Sequence, residues 1–84
     1  MEHYLYMTFG STHATLKAER ALRGGAASFR VVQKPEVIRG GCGLAIRVAP
    51  SDSAVVLERL RKAGLEPRQQ VLLPEREPAP TPAR

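Results

Sequence analysis

The order of strand-like and helix-like segments limits the fold of this chain more than any other feature of its sequence. Four short segments have the alternating or β-branched character of strands. Two others repeat apolar residues at every third or fourth position, which is typical of amphipathic helices. The segments follow one another as strand, helix, strand, strand, helix, strand. This order predicts an α+β domain of the ferredoxin-like βαββαβ type, in which a four-stranded antiparallel sheet carries two helices on one face.

The helices are predicted from their apolar positions and the residues that flank them. Ser11 or Thr12 is expected to cap the first helix, and Gly24 and Gly25 to end it. Segment 50–53 supplies cap residues for the second helix, which Gly64 closes. The apolar positions are Ala14, Ala18, Ala21 and Leu22 in the first helix and Val56, Leu57, Leu60 and Ala63 in the second. The predicted strands are residues 3–9, 28–34, 43–49 and 68–73.

The chain has room for one hydrophobic core, because it contains 84 residues. Residues 1–73 hold all the predicted elements and are interpreted as a single ferredoxin-like domain. Residues 74–84 contain four prolines and no apolar pattern, so we predict a disordered Pro-rich tail.

The charge and the cysteine content point to a cytoplasmic protein without a membrane span. The formal net charge is +5, but the cations are scattered along both helices as on a solvated surface. A single cysteine excludes an intramolecular disulfide and is typical of a reducing compartment. The N-terminal residues show no secretion signal, and no apolar run is long enough to cross a bilayer.

Cys42 is the best candidate for chemistry, because of the loop that precedes the third strand. Gly40, Gly41 and Gly43 remove side-chain bulk around the sulfur and leave backbone N–H groups able to face an anion. Arg39 lies three residues before the cysteine, and a nearby cation lowers a thiol pKa. The alternative is that Cys42 is inert packing, because strand alternation also places it on the core face.

Several motifs match one known family. The residues that carry the resemblance are Tyr4-Leu5-Tyr6-Met7-Thr8-Phe9, Ser11-Thr12-His13-Ala14, Ala18-Glu19, Pro35 and Cys42-Gly43-Leu44-Ala45-Ile46-Arg47. Together they resemble the small bacterial selenium/sulfur carrier-like proteins over residues 3–73. The Cys-Gly-Leu-Ala segment after a small-residue loop is the most specific element. In that family the loop often carries serines where this chain has Arg39, Gly40 and Gly41.

The resemblance implies a sulfur or selenium carrier rather than a turnover enzyme. The Cys42 thiolate would accept sulfur from the persulfide of a donor protein, such as a cysteine desulfurase, and deliver it to an acceptor protein. No cofactor is implied. A disulfide oxidoreductase would need a second, resolving thiol, which this chain does not contain.

Other functions fit the residues less well. His3, His13 and Cys42 do not match a zinc spacing, so no metal site is predicted. Tyr4 and Tyr6 on one strand resemble an RNA-binding sheet, but the third strand has no aromatic residue, so no nucleic acid is expected. The tyrosines would instead cover the open sheet face in a homodimer. The main alternative function is a non-catalytic ferredoxin-like module that binds a small ligand or a protein.

Overall fold

The secondary structure has the predicted order over the residues that the computed structural model describes, which are 3–25, 27–40 and 43–74. The elements are β1 (His3–Thr8), α1 (Thr12–Leu22), β2 (Phe29–Gln33), β3 (Leu44–Val48), a single 3₁₀ turn (Pro50–Asp52), α2 (Ser53–Lys62) and β4 (Gln69–Pro74). Each predicted strand and helix is therefore found, with ends that differ by one or two residues.

The four strands form one antiparallel sheet in the order β2-β3-β1-β4. Leu5 pairs with Val48 and Met7 with Ile46 across the central strands. The order and the pairing confirm the predicted ferredoxin-like layout, in which each strand–helix–strand unit places its second strand beyond an intervening neighbour.

Both helices pack on the same face of the sheet. Ala18 and Leu22 of α1 and Val56 and Leu60 of α2 belong to one buried cluster with residues from the central strands. The sheet and loop members of this cluster are Met7, Phe9, Ile46 and Val48. The two predicted helical stripes therefore face the core, as amphipathic helices require.

Local residues determine where the helices begin and end. The Ser11 side chain accepts a hydrogen bond from the Ala14 N–H at 3.1 Å, which caps α1. Gly64 follows α2 with φ +78°, a left-handed conformation that glycine adopts without strain. The prediction that Ala63 belongs to the buried stripe is wrong: Ala63 is the exposed C-cap residue of α2.

The C-terminal strand pairs along its whole length with β1, from Gln69 opposite Thr8 to Pro74 opposite His3. Residues 75–84, which contain nearly all of the predicted disordered tail, lie outside the described residues. Neither helix in the described part of the chain combines the length and the apolar character that crossing a membrane requires.

Two neighbouring valines on α2 allow a matched test of this packing. Val56 is buried in the core, whereas Val55 is 52% exposed. Val56→Ala should lower the free energy of unfolding by about 2–3 kcal/mol, because it removes buried methyl groups and leaves a cavity. Val55→Ala should change it by less than about 0.5 kcal/mol. Urea denaturation measures both, and equal effects would contradict this orientation of α2.

Candidate functional site

The candidate site is the loop of residues 34–43, which joins β2 to β3. Gln33 pairs with Leu44 at the ends of the two strands. The Lys34 N–H then donates to the Gly43 carbonyl at 2.8 Å and closes the base of the loop. Gly41 and Cys42 lie outside the described residues, whereas the residues on either side of them are described.

The loop lies across the open face, which is the face of the sheet opposite the helices. Thr8 and Ala45 are fully buried there although neither belongs to the helix-side core. Ile38 in the loop is also buried, at 4% exposure, outside that core. Pro35 and Val37 line a depression of about 370 Å³ together with residues of β1 and β4. Loop residues therefore lie over the part of the open face that β1 and β4 form.

Two side chains from opposite edges of the sheet hold the loop. Gln69 on β4 donates from Nε2 to the Arg39 carbonyl at 2.8 Å. Lys34, just after β2, donates from Nζ to the Gly40 carbonyl. Two consecutive carbonyls are thus occupied immediately before the cysteine segment, whereas the N–H groups of Arg39 and Gly40 donate to no described residue.

The described neighbours on both sides of the cysteine segment are exposed glycines. Gly40 has φ +84°, a left-handed conformation in which a side chain is strained. Gly43 has no such requirement, and a Cβ atom added to it would meet nothing within 4 Å. Gly40 is therefore needed for the path of the loop, whereas Gly43 faces open space.

The loop enters β3 at the end of the sheet where α1 begins. Met7 pairs with Ile46 in antiparallel register, so the last residue of β1 and the first residue of β3 lie at the same end of the sheet. Ser11 caps α1 just beyond β1. The N-terminal end of a helix carries a partial positive charge, and the first turn of α1, all of which is described, contains no acidic residue. The partial charge of α1 therefore favours anions at this end of the sheet.

A buried hydroxyl lies on the open face close to the loop. Among the described residues, the Thr8 Oγ1 is a buried side-chain oxygen without a hydrogen-bond partner. Thr8 pairs with Gln69, whose side chain reaches the loop. Buried hydroxyl groups are rarely left unpaired, because desolvation without a partner is costly. Thr8 is therefore a polar group of the candidate site that sequence reasoning missed.

The predicted site residues divide into three groups. Gly40 and Gly43 are exposed residues of the loop. Arg39 is exposed, and its guanidinium forms no ion pair with any described residue. Gly41 and Cys42 remain undescribed, so the expected contact between Arg39 and the sulfur stays a prediction. Lys34 and Gln69 were missed, because their contacts join residues that are distant in the sequence or depend on loop shape.

The sequence from β1 to β4 matches one protein family. Residues 4–71 match the model of the family described as "Putative Se/S carrier protein-like". The chain belongs to this family. The match covers the sheet, both helices and the cysteine loop, which agrees with the resemblance found in the sequence. No curated protein and no solved structure matches the chain.

Two glycines of this carrier-like family member can be compared directly. Gly40→Ala should lower the free energy of unfolding by about 1–2 kcal/mol, because alanine is strained at a left-handed φ. Gly43→Ala should cost less than about 0.5 kcal/mol, because its methyl group enters open space. Urea denaturation tests the difference, and an equal cost for both would mean that Gly40 does not need its left-handed conformation.

Adjacent glutamines on β4 provide a second matched pair. Gln69 is half-buried and holds the loop, whereas Gln70 is exposed on the helix-bearing face. Gln69→Ala should lower the free energy of unfolding by about 0.5–1.5 kcal/mol, the usual net value of a hydrogen bond. It should also speed hydrogen exchange of the amides in residues 36–40, while Gln70→Ala leaves both quantities unchanged. Unchanged exchange in Gln69→Ala would contradict the holding role.

Proposed function

We propose that this protein is a sulfur or selenium carrier and that Cys42 is the residue that accepts and delivers the transferred atom. The observation that carries the proposal is the position of the one cysteine in the chain. It follows Gly40 and precedes Gly43, two exposed glycines of a loop held by Lys34 and Gln69. Membership of the carrier-like family supports the same chemistry.

The surroundings of the loop favour a reactive thiolate. The N-terminal end of α1 lies at the end of the sheet where the loop enters β3, and thiol pKa values are lowered at helix N-termini. Arg39 adds an exposed cation three residues before the cysteine. Both effects stabilise the anionic form, which is the nucleophile in sulfur transfer. Gly41 and Gly43 add no side-chain bulk, so they leave space for the sulfur of another protein.

The proposed transfer conserves atoms and electrons. The Cys42 thiolate attacks the outer sulfur of a donor cysteine persulfide, and a new S–S bond forms as the donor S–S bond breaks. The donor leaves as a thiolate, and Cys42 becomes a persulfide that keeps the hydrogen of the outer sulfur. A nucleophile of the acceptor protein then attacks that outer sulfur and releases the Cys42 thiolate. The selenium reaction has the same form, with selenium as the outer atom.

This scheme defines the partners and the surroundings that the protein needs. The donor is a protein that generates a cysteine persulfide, as a cysteine desulfurase does, and the acceptor presents a nucleophile at its surface. Neither step uses a cofactor held by this chain. A reducing compartment such as the cytoplasm would keep the lone thiol from forming a disulfide with another protein.

Sulfur loading can be measured directly. Incubation with a cysteine desulfurase and free cysteine should add one sulfur atom to the intact mass, and the adduct should be absent from Cys42→Ala. Replacing free cysteine with selenocysteine, together with an enzyme that releases selenium from it, tests selenium in the same way. Alkylation of Cys42 by iodoacetamide should show a midpoint below the ordinary thiol pKa of about 8.5, because the thiolate is stabilised.

Two controls separate carrier function from incidental modification. Gln69→Ala should load more slowly than Gln70→Ala, since only Gln69 holds the loop. A free cysteine on an unrelated small protein, present at the same concentration, reports uncatalysed persulfide exchange. The proposal fails if Cys42 is alkylated readily but acquires no sulfur, or if it loads no faster than the unrelated thiol. Either result would favour a non-catalytic binding module.

A further inference from the structure

Two arginines face each other on the open face, beyond the part that the loop covers. Arg30 on β2 pairs directly with Arg47 on β3, and Arg47 pairs with Tyr6 on β1. Directly opposed residues in an antiparallel pair have Cβ atoms about 4.5–5.5 Å apart, and like charges at this separation are destabilising. An anion placed between the two guanidinium groups would remove this repulsion.

No carboxylate in the described part of the chain neutralises these arginines. The ion pairs formed there join Arg23 to Glu19 at 3.3 Å and Arg61 to Glu58 at 2.7 Å, and both pairs lie on the helices. The hydrogen bond from Arg61 lowers the pKa of Glu58, so that carboxylate is already stabilised elsewhere. The charges of Arg30 and Arg47 are therefore unmatched within the described residues.

The ring of Tyr4 holds Arg47 in place while leaving its donors available. The Arg47 Cζ lies 4.3 Å from the centroid of the Tyr4 ring, in a cation–π contact. Such stacking uses the face of the guanidinium, whereas its N–H groups point outward in the plane. None of these groups donates a hydrogen bond to another described residue. Arg47 is thus oriented and its in-plane donors are unoccupied.

The arginines border a depression with both polar and apolar walls. Its volume is about 400 Å³, and it is lined by Tyr4, Ser28, Phe29, Arg30, Arg47 and Ala49. This volume lies within the range of small-molecule sites, about 300–1,000 Å³. Ser28 contributes a hydroxyl group, and Tyr4 and Ala49 contribute apolar surface, whereas the Phe29 side chain packs against the helix-side core. The combination suits an organic molecule with a strongly anionic end.

We propose that this depression binds a phosphate monoester. The phosphate group accepts hydrogen bonds from Arg30 and Arg47, and the organic part lies against Tyr4 and Ala49. A monoester carries nearly two negative charges at neutral pH, which match the two guanidinium groups, and arginine forms paired hydrogen bonds with phosphate oxygens. RNA fits less well, since each of its internal phosphates carries only one negative charge.

This site is separate from the cysteine loop. Arg47 lies four residues along the chain from Gly43, which is about 13 Å at the rise of a β-strand. The proposal therefore does not depend on sulfur transfer, and Cys42→Ala should bind the phosphate monoester as the original chain does.

Phenyl phosphate is a suitable probe, and the full chain can be followed by NMR. Titration should produce saturable amide shifts at residues 28–30 and 47–49, whereas phenol, which lacks the phosphate, should produce none. Arg30→Gln and Arg47→Gln should each raise the Kd by about tenfold or more, because each removes a charge-assisted contact. Arg20→Gln, an exposed arginine on α1 with the same change in charge, should change the Kd by less than about twofold.

Loss of binding must be distinguished from loss of folding in each variant. Retained amide dispersion shows that each variant is folded, and Arg47→Lys, which keeps the charge but loses the paired geometry, should bind with intermediate affinity. The proposal is overturned by an absence of saturable shifts, by equal affinity in the Arg30→Gln/Arg47→Gln double variant, or by an equal loss in Arg20→Gln. Tighter binding of a single-stranded RNA than of phenyl phosphate would also overturn it and favour nucleic acid.

Discussion

Two helices can cover only one face of a four-stranded sheet, so the rest of this structure depends on which residues cover the opposite face. On the helix side, apolar residues such as Met7 and Ile46 are buried by direct packing. On the open face, no helix or further strand from residues 3–25, 27–40 and 43–74 provides such packing. The chain instead uses the loop between β2 and β3, which brings Ile38 into a buried position, while Arg30 and Arg47 border a separate open depression. The open face thus has one part next to the loop and another part lined by the two arginines.

A small number of side-chain contacts hold the loop on the sheet. Its side-chain restraints are the hydrogen bonds from Gln69 and Lys34, each worth about 1 kcal/mol net. Burial of Ile38 adds about 1.5–3 kcal/mol. The sum is smaller than the free energy of unfolding of most domains, about 5–15 kcal/mol. Local opening of the loop therefore costs less free energy than global unfolding.

The helix-side core could be predicted from the sequence because periodicity reports burial against a regular element. The spacing of Val56 and Leu60 and the position of Gly64 were sufficient to place α2. Thr8 lies on the opposite side of β1 from the core residue Met7, yet it too is fully buried, and no periodic pattern in the sequence indicates this burial. The contact between Gln69 and Arg39 spans thirty residues, and nothing in the local sequence marks either partner. The candidate site could be identified from its residue types, whereas the hydrogen bonds that hold the loop could be identified only from the fold.

The number of charges could be read from the sequence, but their positions relative to one another depend on the fold. The net charge of +5 and the scattered cations favoured a solvated surface, and for the helices that interpretation agrees with their exposed ion pairs. Antiparallel pairing then brings Arg30 and Arg47 together from positions seventeen residues apart. At the other end of the face, Lys34 donates to a carbonyl, which accepts the hydrogen bond without cancelling the charge. The open face is therefore cationic at both ends, which favours anionic groups such as a thiolate, a persulfide or a phosphate.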